Sequence, residues 1–192
     1  MGSGNETTDQ IIGATVFGNV TVKNFETAAA DDAFDISTTG IESRGTGDGT
    51  DAHLDLDGGA IGTDAIVLQT TTAASNLDVD GGNGNILVLG GDHATSALVE
   101  QALEDGGTHE ITLGEDSMLS DGSTNWVIAW DDGTNSYIGV GALETDSQDD
   151  TTGGSIDTST IANIEVTTIV TLEGVSDVTD LVAANFGTNF IA

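Results

Sequence analysis

A chain that places 33 Asp and Glu side chains against one lysine, Lys23, and one arginine, Arg44, has a severe problem to solve before it can fold. Its formal net charge is -31 over 192 residues. Compaction brings like charges together, so every folded arrangement must offset that repulsion. Two offsets are open: bound divalent cations, or a saline medium whose Debye length falls to roughly 3 Å at about 1 M salt. The same balance excludes nucleic acid and anionic membranes as partners, because nothing basic is present to displace counterions from phosphate.

Disorder would be a third way for an acidic chain to exist. Against it, 37% of the residues are hydrophobic, and the apolar runs are rich in Val and Ile, unlike the depleted composition of disordered segments. The length suits one ordinary domain or two small ones, and both readings stay open. Cysteine and proline are both absent. Disulfides and thiolate metal sites are therefore excluded, and turns must be made by Gly, Asn and Asp, with 27 glycines to make them. No apolar run is long enough to span a membrane, and the N-terminus has no charged and then apolar leader pattern, so export is expected to proceed without a cleaved N-terminal signal.

Periodicity points to a mainly β fold. Residues 1–10, "MGSGNETTDQ", are small and polar and read as a flexible arm. Residues 11–25, "IIGATVFGNVTVKNF", alternate apolar and polar through Ala14, Val16, Val20 and Val22 and read as one long strand or two short ones. Residues 92–107, "DHATSALVEQALEDGG", change period: Ala94, Leu98, Val99, Ala102 and Leu103 recur at helical spacing. One short helix is expected near residues 93–105, with Asp92 as N-cap and Gly106 as the stop. After it, "HEITLGE" reads as a strand. Residues 125–143, "NWVIAWDDGTNSYIGVGAL", then read as a hairpin with the loop "DDGTN". The acidic loop "ETDSQDDTTGGS" precedes the strands of "IANIEVTTIVTLEGV". Residues 11–192 are thus expected to form a single β-rich domain, with a candidate subdomain boundary near 91–107.

An internal repeat carries the chemistry. "LDLDGG" at residues 54–59 matches "LDVDGG" at 77–82, and each leads through a short polar connector into an apolar run, "AIVLQ" or "ILVLG". Each copy reads as a β-β unit bent at its Asp-Gly-Gly, the smallest version of a stacked, solenoid-like arrangement. Alternate residues of a strand share a face, so Asp55 with Asp57, and Asp78 with Asp80, project as pairs. Without a cation such pairs are like charges held side by side. Calcium takes six to eight oxygens from carboxylates, amide carbonyls and backbone carbonyls. The proposed ligands are Asp55, Asp57, Asp64, Asp78, Asp80, Asn83, Asn85 and Asp92. Secondary candidates are Asp31, Asp32 and Asp35, then Asp131 and Asp132, then Asp149 and Asp150. A single such turn is most often a solvated strand end; two copies in register, with almost no counter-charge in the chain, favour Ca2+.

The second copy also carries a resemblance. "DGGNGNILVL" is similar to the Gly- and Asp-rich nonapeptide of RTX proteins, with Gly81, Gly82, Gly84, Asn85 and Leu87 at matching positions and Asn85 where that motif has Asp. "DGGAIGTDAIVL" is a looser cousin with one inserted residue. The acidic, cysteine-free composition and the tail "TLEGVSDVTDLVAANFGTNFIA" also resemble type I-secreted RTX and bacterial surface-layer proteins, which end in an uncleaved C-terminal signal. That resemblance implies a calcium-stabilised β-sandwich or short β-solenoid, an extracellular or cell-surface location, and residues 174–192 as a candidate secretion signal.

Enzyme signatures are missing from the sequence. His53, His93 and His109 stand apart with no HExxH pair, no GxSxG elbow occurs, and no lysine follows a phosphate-binding glycine loop. The expected function is that of a non-enzymatic, secreted calcium-binding structural protein. It would self-assemble into an extracellular filament, sheet or biofilm matrix by exchanging the strand within residues 11–22, so that its partner is a second copy. The alternative is a calcium-dependent carbohydrate-binding or adhesion module acting on cell-surface polysaccharide, with Trp126, Trp130 and Tyr137 as a stacking platform. With 4% aromatics in the chain, these rings are expected to be spent on the core.

Overall fold

The computed structural model describes residues 19–27, 32–33, 68–71, 77–78, 86–104, 106–112, 125–143 and 164–186. Eight strands, one α-helix and two 3-10 turns follow in order: β1 (Val20–Lys23), β2 (Leu68–Thr71), β3 (Leu77–Asp78), β4 (Ile86–Asp92), α1 (Ser96–Leu103), β5 (Ile111–Thr112), β6 (Asn125–Asp131), β7 (Ser136–Leu143), β8 (Ile164–Glu173), then turns at Val178–Asp180 and Ala183–Asn185. The protein is mainly β, as the alternation of its apolar residues requires.

Six strands make one mixed sheet in the order β1-β8-β7-β6-β4-β2, while β3 and β5 pair separately. Only β7 is antiparallel to its neighbours; β1 with β8, β6 with β4, and β4 with β2 are parallel pairs. The β6-β7 hairpin forms where the sequence places it, with Asp131 opposite Ser136 and Trp130 opposite Tyr137. The end of the first apolar run of the repeat, Leu68–Gln69, lies in β2 and the second run lies in β4, side by side and parallel, with Leu68 opposite Ile86. Parallel neighbours need a long crossover, and α1 lies in the one that joins β4 to β6. The sheet therefore draws strands from both sides of residues 91–107.

Both faces of the sheet are covered. One carries Ile86, Val88, Val127, Ala129, Ile138, Val140, Val170 and Leu172, which pack with Phe25, Val175, Val178, Leu181 and Phe186. Residues 174–186 are thus part of the core. On the opposite face, alternation places Leu87, Leu89, Ile128 and Trp130, all buried. The helix turns Val99, Ala102 and Leu103 inward. An extra residue in β8, Ile169, breaks the register with β7 between Ile138 and Gly139. Gly139 is required there: a Cβ would stand 2.8 Å from both the Thr167 carbonyl oxygen and the Trp130 ring.

The helix is shorter than expected and capped differently. Its N-cap is Thr95, whose Oγ1 accepts from Leu98 N at 3.3 Å, in place of Asp92. The reason is pairing: β4 continues through Asp92, which stands opposite Asp131 of β6, so Asp92 is committed to the sheet. Of the strand expected from "HEITLGE", Ile111–Thr112 pair in parallel with Leu77–Asp78, and residues 113–115 lie outside the described residues.

Candidate functional site

Side chains with chemical potential gather where β4 and β6 end, at the carboxyl ends of two parallel strands. In open sheets with parallel strands this is where ligands bind, because the chain diverges into loops there. Asp92 and Asp131 stand opposite one another, and His93 N donates to the Asp131 carbonyl at 2.7 Å. The turn after β6 brings Asp132, and its Gly133, at φ +78, lies against the Asp92 carboxylate. A Cβ at that position would sit 3.1 Å from Asp92 Oδ2, so glycine serves both the left-handed turn and the close approach.

Two of these carboxylates are occupied by main-chain donors. Asp131, 3% exposed, accepts Gly133 N at 3.0 Å on Oδ1 and Val178 N at 3.0 Å on Oδ2. Burial pushes its carboxyl above the usual range, and the two N–H groups pull the other way. Asp132 accepts Thr134 N at 2.8 Å and Asn135 N at 2.7 Å on Oδ1, and the Tyr137 hydroxyl at 2.6 Å on Oδ2. The Tyr137 hydroxyl leads the interactions that hold Asp132 below the usual carboxylate range, and the same bond raises Tyr137.

These bonds tie the sheet to the segment that follows β8. Ser136 Oγ donates to the Val175 carbonyl at 2.9 Å, and Gly174 N donates to Asn135 Oδ1 at 3.1 Å. Farther along, the buried Asn185 donates from Nδ2 to the Glu26 carbonyl at 3.2 Å and the Asp32 carbonyl at 3.0 Å. Asp32 in turn accepts from Glu26 N at 2.9 Å.

A histidine pair lies beside this end of the sheet. The His93 and His109 rings meet edge to face with centroids 5.5 Å apart, and His109 Nδ1 is 3.1 Å from Thr71 Oγ1. Burial lowers the pKa of both; for His93 the Gly90 carbonyl, Asp131 and Asp92 oppose the shift, whereas for His109 the neighbouring His93 adds to it. His53, the third histidine, lies outside the described residues.

Of the proposed calcium ligands, Asp92 is brought to this site. Asp78 lies in β3. Asp55, Asp57, Asp64, Asp80, Asn83 and Asn85 lie outside the described residues, as do Asp31, Asp35, Asp149 and Asp150. Two secondary candidates, Asp131 and Asp132, join Asp92. A fit to Ca2+ is partial here: Asp92 offers a carboxylate that accepts no protein hydrogen bond among the described residues, whereas both oxygens of Asp131 and of Asp132 already serve the fold. No group of three or more His, Asp or Glu among the described residues has the spacing of a metal site. Trp130 is 1% exposed and stacks on Tyr137 at 5.4 Å, so it contributes to the core and not to a surface platform.

Carboxylates serve the fold in one further way. Glu100 of α1 and Glu104, the residue that caps its C-terminus, accept main-chain N–H groups of β8: Val166 N at 2.9 Å and Ile164 N at 3.3 Å. Their i, i+4 spacing showed that the two share a helix face; only the fold shows what that face meets. No helix among the described residues is long and apolar enough to cross a membrane. The chain finds no match among protein-family models, curated proteins or solved structures.

Proposed function

We propose that this is a non-enzymatic, exported structural protein that binds Ca2+ through its acidic turns and self-assembles outside the cell by exchange of its N-terminal strand. The observation that carries this reading is β1. Among the described residues it lies at the edge of the sheet and pairs only with β8; it holds four residues and is largely exposed, with Val20 at 43%. Its first three residues end the segment 11–22, whose alternation first singled it out for exchange. An edge strand with so little burial is cheap to release, and a second copy offers an identical replacement. The RTX-like turns at residues 54–59 and 77–82 supply the calcium side, and a calcium-stabilised sandwich or short solenoid is the arrangement proposed for the repeat region.

Size and circular dichroism in EGTA, in millimolar CaCl2 and in KCl of matched ionic strength test the calcium part. Calcium alone is expected to convert the chain into large β-rich particles; equal conversion by KCl makes the carboxylates generic and removes calcium from the proposal. Deleting residues 1–22 is expected to leave a folded monomer. A truncated protein that still polymerises normally rules out strand exchange.

A further inference from the structure

Building on self-association through the N-terminal strand, we infer that the acceptor site is the whole outer edge of β8, and that α1 guards its first half with Glu100 and Glu104. The edge has two parts. Along Val170–Glu173 it is filled by β1 in parallel register, Val20 opposite Val170 through Lys23 opposite Glu173. Lys23 Nζ adds an ion pair to Glu173 at 2.8 Å, and Thr171 Oγ1 donates to Asn19 Oδ1 at 3.0 Å. Along Ile164–Thr168, no strand among the described residues pairs on that side. There the N–H groups of Ile164 and Val166, which an added strand would need, point to the Glu104 and Glu100 carboxylates.

Carrying the register of β1 backward places residues 14–19 of an incoming strand along residues 164–169 of β8. The occupant is therefore residues 11–23 of a second copy. Three observations select it. That segment, "IIGATVFGNVTVK", holds no Asp or Glu and one of the protein's two cations, so it approaches a strongly acidic molecule without like-charge repulsion. The seat of β1 shows that β8 accepts the last four residues of this segment, Val20–Lys23, with an ion pair to fix the register. Finally, β1 meets the anchored core at a bend: Asn24, at φ 59, is in the left-handed region, uncommon outside glycine although Asn tolerates it. It is followed at once by the buried Phe25. A weak strand beyond such a joint, followed by a fixed residue, is the geometry from which strands swap.

The carboxylates act as a guard because charged acceptors on an edge both use its N–H donors and repel an approaching row of carbonyls. Releasing them opens a full-length acceptor in place of a four-residue one.

The test compares full-length chains at one protein and calcium concentration, followed by sedimentation velocity, with circular dichroism to verify folding. E100A/E104A is expected to associate about tenfold faster than wild type, roughly the effect of losing one charge-assisted hydrogen bond from the guarded state. E100Q/E104Q, which keeps the acceptor oxygens, is expected to fall between the two. Prolines at two successive arm positions, V16P/F17P, remove a donor facing β8 on either pleat. They are expected to slow wild-type assembly and to cancel the acceleration in E100A/E104A. A folded E100A/E104A that assembles at the wild-type rate overturns the guard. A V16P/F17P chain that assembles as fast as wild type overturns docking along the first half of β8, whether or not the alanine variant folds. Both results are separable from failure of strand exchange itself, which the deletion of residues 1–22 reads.

Discussion

At the scale of single residues, the acids solve part of the charge problem with backbone N–H groups. Asp32, Glu100, Glu104, Glu110, Asp131, Asp132 and Asp177 each accept at least one, whereas Lys23 with Glu173 is the one salt bridge among the described residues. A carboxylate that caps a main-chain donor is stabilised without a counter-ion, and it removes an unsatisfied donor at the same time. Asp131 has the most to lose. Replacing it by alanine leaves the N–H of Val178 without its partner in the core, and we expect a loss of about 1–3 kcal/mol in chemical denaturation. His109 makes the protein sensitive to acid. Burial and then His93 lower its pKa from 6.5, so below pH 6.5 the unfolded chain takes up a proton that the folded chain resists. Its contribution to stability is present above 6.5 and is lost as pH falls through the lowered value. The denaturation midpoint should drop between pH 7 and pH 5, and H109Q should flatten that slope.

At the scale of elements, α1 shows how a local pattern and a long-range pairing compete. The spacing of Val99, Ala102 and Leu103 fixes the helix and its inward face, whereas Leu98 stays exposed. Asp92 is as good a cap by chemistry as Thr95, but its pairing with Asp131 holds it in β4, and the helix starts three residues later. Replacing Thr95 by alanine should cost about 1 kcal/mol, measurable as a shift in denaturant midpoint, while the same change at Asp92 should leave the helix intact. The hairpin was legible because its turn chemistry is local: two strand runs joined by an Asp-Gly turn. That β2 and β4, or β1 and β8, run parallel was not legible, since parallel pairs join segments far apart in the chain and no turn residue announces them. The pairing of the half-buried His93 with the buried His109 has the same origin.

At the scale of the whole molecule, residues 174–186 cover one face of the sheet with Val175, Val178, Leu181 and Phe186. Removing the chain after Gly174 exposes Ile86, Val88, Val127, Ala129, Ile138 and Val140, and we expect a loss of cooperative unfolding together with binding of an apolar dye. If residues 174–192 do direct export, the same segment must serve twice, as an address before folding and as a core layer after it. What the sequence determined by itself was what depends on composition and short-range spacing: a β fold from alternation, one helix, one hairpin, acidic turns with the oxygens Ca2+ favours, and an N-terminal segment free of acids in an anionic chain. The tertiary structure decided which acids meet. It gathered Asp92, Asp131 and Asp132 at one end of the sheet, assigned two of them to backbone donors, and set Glu100 and Glu104 on the edge of β8. Those outcomes follow from strand order, and strand order is fixed by how apolar faces are buried across the whole chain rather than by any local run of residues.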